Sequence, residues 1–93
     1  MMTAIEALWK ERGELSAWVN GPESQSVPEM VREAVYSQLY RMEDEISEKP
    51  AAGLGDVKVK LLLLLSYRED GREADKGVPE LLRTAIDGLS LTR

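Results

Sequence analysis

Apolar residues recur at spacings of three and four along the first half of the chain. Ile5, Leu8, Leu15 and Val19, with Arg12 in the same row, mark one face of a helix predicted from about Thr3 to Asn20. Thr3 and Glu6 stand at the spacing of a capping box, and Asn20-Gly21-Pro22 is a strong stop. A polar loop over 21–26 follows. "SVPE" at Ser26–Glu29 reads as a second capping box, with Pro28 tolerated in the first turn. The second helix is expected to reach about Lys49, because Pro50 disfavours helix in the residue before it. Its stripe is Val31, Val35, Leu39, Met42 and Ile46. The short loop makes the pair an antiparallel hairpin. Aligning the stripes sets Val19 by Val31, Leu15 by Val35, Leu8 by Met42, and Arg12 by Gln38 as the polar interruption of both.

After the break "KPAAGLG" comes "DVKVKLLLLLSYRED" at Asp56–Asp70, which has the local look of a strand. No second strand pattern exists to pair with it, and leucine favours helix. A third helix is therefore expected over roughly Leu54 to Glu69. At about 100° per residue, Leu54, Val57, Leu61, Leu64 and Leu65 share one face, while Val59, Leu62 and Leu63 lie opposite. A helix apolar on two sides is expected to be mostly buried, with Leu61 in the core. "REDGREADKG" is a charged loop. A fourth helix from about Val78 to Leu91 carries Val78, Leu81, Leu82, Ala85, Ile86 and Leu89. The pattern predicts an all-α fold: an antiparallel helical hairpin plus two further helices in a small helical bundle, one domain over residues 1–93.

Composition narrows the chemistry. Among 93 residues there is no cysteine and no histidine, which removes disulfides, thiolate metal sites and the usual general base. The formal net charge is −5, so neither nucleic acid nor an anionic membrane is an expected partner. No segment approaches the ~20 apolar residues of a bilayer span. The start, "MMTAIEALWKERGEL", has acids and a tryptophan where a signal peptide needs a basic start and an apolar run, so a cytoplasmic protein is expected.

Few residues offer reactive chemistry. Glu45 and Glu48, within the run Glu43-Asp44-Glu45, sit three apart on a helix face and form the best metal candidate. All-α nucleotide pyrophosphohydrolases hold magnesium with such a Glu-x-x-Glu pair and a second acidic pair, and oxygen ligands suffice for that ion. Here Glu69-x-x-Arg72 has the wrong charge and Glu73-x-Asp75 the wrong spacing; Glu11-x-x-Glu14 is another possible pair. The competing account is that these acids are solvated helix faces. Gly53-x-Gly55 lacks the third glycine and preceding strand of a dinucleotide site, and Asp56 would repel phosphate. No catalytic residue and no cofactor are assigned. Trp9 and Trp18, nine apart, point in nearly opposite directions, so one is expected on the hairpin partner and the other on a further element or subunit. Tyr36 and Tyr40 form an i, i+4 pair behind the main stripe, either a surface pair or a second packing face, and the need to cover the third helix favours the second. The surplus of apolar surface points to a non-enzymatic, self-associating or partner-binding module; the alternative is a magnesium-dependent, all-α nucleotide phosphohydrolase-like enzyme using Glu45 and Glu48. A two-fold homodimer is expected, with Trp18, Tyr36, Tyr40, Leu62 and Leu63 as the interaction residues.

The segment "EKPAAGLGDVKVKLLLLLSY" at Glu48–Tyr67, with the acidic approach "RMEDEISEKP" and the final "PELLRTAIDGL", resembles short uncharacterised proteins of alphaproteobacterial genomes. Those have a pair of amphipathic helices, a Pro-Ala/Thr-rich break and a Leu/Ala-rich helix with interspersed Lys or Arg. The resemblance covers most of the chain from Val31 onward. It implies an all-α fold and a prophage or accessory role, and it brings no catalytic residues.

Overall fold

The computed structural model describes residues 2–72 and 77–90. Four α-helices follow one another with no strand among the described residues: α1 (Ala4–Val19), α2 (Glu29–Glu48), α3 (Leu54–Glu69) and α4 (Val78–Ser90), with a 3₁₀ turn at Pro22–Ser26 between α1 and α2. The small all-α bundle read from the pattern is the fold. The expected end of the fourth helix at Leu91, and residues 73–76 of the charged loop before that helix, lie outside the described residues.

Local chemistry sets the boundaries. Glu6 N–H donates to Thr3 Oγ1 and Thr3 N–H donates to Glu6 Oε1, each at 3.1 Å, so the capping box that opens α1 is complete. The second expected capping box is not formed. Pro28 is the N-cap of α2 and has no side-chain cap bond, while the Ser26 hydroxyl donates to the carbonyl of Glu23. Local turn bonding competes for a serine side chain and wins here because the preceding loop coils into the 3₁₀ turn. Ser24, buried in that turn, donates to the Val19 carbonyl at 2.7 Å and ties it to the end of α1. Helix α3 ends in a Schellman motif. Gly71 takes the left-handed φ of 72°, its N–H donates to Arg68 O, and Arg72 N–H donates to Tyr67 O at 2.7 Å. That reversal folds Arg72 back over the last turn of α3.

The core gathers Ile5 from α1, Ile46 from α2, Val59, Leu63 and Tyr67 from α3 and Leu81 from α4, flanked by Leu8, Trp9, Leu64 and Val78. Helices α1 and α2 form the antiparallel hairpin, and α4 is the main cover of α3. The C-terminus of α2 is docked by side chains rather than by its own backbone. Lys60 Nζ donates to the Ile46 carbonyl, and Thr84 Oγ1 donates to the Ser47 carbonyl at 3.0 Å. Two carbonyls that the helix end leaves open are thus satisfied by α3 and α4.

The Arg12 guanidinium is hydrogen-bonded, with Glu43 rather than Gln38 as its partner on α2, through Nε at 3.0 Å and one terminal nitrogen at 2.9 Å. Side chains on a helix lean towards its N-terminus, so in an antiparallel pair Arg12 and Glu43 lean towards each other across several residues of offset. A carboxylate is also a stronger partner for a guanidinium than a neutral amide.

The domain is a slab, 49 × 32 × 17 Å along its principal axes. Its radius of gyration of 14.2 Å exceeds the ~12 Å of a compact chain of this length. At 8–10 Å between helix axes, such a slab holds two helical layers, which can cover a helix on one side only.

Candidate functional site

Helix α3 is apolar almost all round, so hydrophobicity does not choose which side faces in. Polar anchors choose it. Asp56, Lys60, Leu63 and Tyr67 recur at four, three and four, and all are buried. Asp56 sits in the first turn, where the helix dipole favours an anion. Its Oδ2 accepts from Ala52 N–H at 2.7 Å and its Oδ1 accepts from the Thr3 hydroxyl. Lys60 is 0 % exposed. Burial pushes its ammonium below the ordinary lysine pKa, an effect opposed by the charges of Asp56 and Glu80.

At the other end of α3, Glu43 is the hub of a buried network. Its side chain is 4 % exposed and receives Arg12 on Oε2. Oε1 accepts from Arg72 at 3.1 Å and from the Tyr67 hydroxyl at 3.4 Å. The Arg72 guanidinium lies 4.4 Å from the centroid of the Tyr67 ring and 5.2 Å from that of Tyr40, and Arg12 lies 5.0 Å from that of Trp9. A buried carboxylate needs such partners, and two cations with a hydroxyl supply them. None of these roles was assigned from the sequence. The signal was present, since Asp56, Lys60 and Tyr67 share one helical row, but a row of polar residues reads first as a solvated face.

With this row turned inward, the opposite row faces solvent. Leu54, Leu61, Leu62 and Leu65 are 61, 49, 37 and 51 % exposed. With Lys58 and Leu89 they line an open groove of about 400 Å³ between α3 and α4. The expectation that α3 is mostly buried with Leu61 in the core is therefore corrected. The side running from Val57 through Tyr67 and Leu63 to Val59 is buried, and among the described residues no element lies over the other.

The expected interaction residues do not assemble. Leu62 is on the exposed leucine row. Leu63 is completely buried in the core and presents nothing to a partner. Trp18 is half-buried at the hairpin turn, beside Gly21 and Pro22. Tyr36 and Tyr40 are exposed on α2 rather than packed as a cover, although Tyr40 receives Arg72 on its ring. Trp9 packs against the core, in keeping with its place in the hairpin.

The acidic run separates in space. Glu43 is buried and ion-paired, while Glu45 and Glu48 are exposed. Glu48 borders a polar cleft with Asp44, Ser47 and Glu80, and Glu45 is not part of it. Glu80 is held by Arg83, which keeps its carboxyl below the usual range. Among the described residues no three metal-ligating side chains converge. Also among them, no helix is long and apolar enough to cross a membrane. No family model, curated protein or solved structure matches the chain.

Proposed function

We propose that this chain is a non-enzymatic helical module that associates with a second copy of itself through the leucine face of α3 and the adjoining edge of α4. The observation that carries the reading is the exposed row Leu54, Leu61, Leu62 and Leu65 along the groove. Monomeric proteins rarely leave large contiguous apolar patches uncovered, and two-fold pairing is the commonest way to bury a self-complementary one.

Magnitudes favour a second copy over a polar partner. Together with the half-exposed Leu82 and Leu89, the face exposes about three leucines' worth of surface. At ~2 kcal/mol each, pairing two copies gains about 12 kcal/mol, whereas a polar partner contributes only one apolar side. Association costs at least ~4 kcal/mol, which leaves an affinity in the micromolar range or weaker. Sedimentation equilibrium from ~1 to ~100 μM tests this. The average mass is expected to climb from 10.4 kDa towards twice that value. A single species at 10.4 kDa across the whole range overturns the reading.

A further inference from the structure

We propose that the two copies meet with their α3 helices antiparallel, so that Lys58 of each pairs with Glu69 of the partner subunit at both ends of a leucine seam. The proposal rests on the self-association reading and adds its geometry. Lys58 and Glu69 are both exposed. Eleven residues separate them, close to three full turns, so they lie on the same side of α3 about 16 Å apart. Leu61, Leu62 and Leu65 fall between them on that side, and Lys58 borders the leucine groove. The exposed face is thus apolar in the middle, with Lys58 at its N-terminal end and, at its C-terminal end, Glu69 in line with Lys58 and Arg68 beside it, off that line.

A two-fold axis can relate two such faces in two ways. If the axis runs along the helices, they are parallel, and Lys58 meets Lys58 of the partner subunit while Glu69 meets Glu69 of the partner subunit. Like charges then oppose each other at both ends. If the axis stands perpendicular to α3 near the midpoint of the seam, the helices are antiparallel. Each lysine then meets a glutamate, twice by symmetry, and Leu61 and Leu62 pack against Leu65 of the partner subunit. Crossing at about 20°, the angle of helical bundles, keeps both charged pairs within side-chain reach. The charge pattern therefore selects the antiparallel arrangement, and complementary charge of this kind sets orientation more than affinity. The repulsion between two chains of net charge −5 is spread over the whole surface and is largely screened at 0.15 M salt.

Sedimentation equilibrium of four proteins tests the proposal: the natural chain, Lys58→Glu, Glu69→Lys and the double exchange. Both positions are exposed, so folding is expected to survive, and far-ultraviolet circular dichroism checks it. Each single change turns two attractive contacts into two repulsive ones and is expected to weaken the dimer about 10- to 100-fold. The double exchange restores opposite charges and is expected to return the affinity to within about threefold of the natural chain, by the logic of a double-mutant cycle. Single variants that dimerise as tightly as the natural chain, or a double exchange no better than either single one, overturn the antiparallel pairing and leave self-association standing. A natural chain that stays monomeric to ~100 μM overturns both.

Discussion

Gly88 and Gly13 are expected to respond to the same substitution with opposite signs. Both are glycines inside helices with no positive φ, so alanine at either removes the conformational entropy cost of a helical glycine. In an open position that gain is about 0.8–1 kcal/mol. Gly13 is open, since a Cβ built on it meets nothing within 4 Å. At Gly88 the new methyl would stand 2.6 Å from Ala51 Cβ and 2.7 Å from Val57 Cγ2. Carbon atoms rest at about 3.5–4.0 Å, so both contacts are short by roughly 1 Å and α4 must move off α3 and the segment before it. Overpacking of this kind costs about 1–3 kcal/mol, and two simultaneous clashes place it at the upper end. The net expectation for Gly88→Ala is a loss of about 1–2 kcal/mol, a fall in Tm of roughly 5–10 °C for a domain of this size. Gly13→Ala is expected to raise Tm by about 4–8 °C. Thermal unfolding followed by circular dichroism at one low protein concentration measures both. A Gly88→Ala protein as stable as the Gly13→Ala protein would show that α4 does not approach Ala51 and Val57 this closely.

Glu43→Ala leaves Arg12 and Arg72 without their shared carboxylate and is expected to cost about 3–5 kcal/mol in urea denaturation. Glu45→Ala, on the exposed side of the same helix, is expected to stay within ~0.5 kcal/mol, and equal losses would remove Glu43 from its role as hub. Lys60 gives a pH signature. Its folded pKa is below the ordinary 10.5, so the unfolded chain holds the proton more tightly, and its contribution to stability rises as pH climbs from the folded value to 10.5. The difference in unfolding free energy between the natural chain and Lys60→Met is therefore expected to move in favour of the natural chain as pH is raised from 7 to ~10.5; a constant difference would mean that the ammonium is solvated.

The sequence by itself determined the helices. Apolar residues at three- and four-residue spacing, the Thr3–Glu6 box and the Asn20-Gly21-Pro22 and Pro50 stops are local devices, and α1, α2 and α3 begin and end within a residue or two of the positions those devices mark. Ser26 is the local exception, because its hydroxyl had a nearer carbonyl within the 3₁₀ turn. Tertiary structure decided everything that depends on which sides meet. The rotation of α3 could not be read from an element apolar on nearly every side. It was set by Asp56, Lys60 and Tyr67, whose partners Thr3, Ile46 and Glu43 lie 53, 14 and 24 residues away. The same choice turned Leu61 and Leu65 outward and placed Leu63 inside. Arg12 likewise found a buried carboxylate on α2 rather than the amide its stripe faced, and Gly88 owes its place to a contact with Ala51 and Val57 that no periodicity records. Helix formation is decided by neighbours within a turn or two. Burial of a charge is decided by whether the folded chain brings it a partner, and that information exists only once distant segments are side by side.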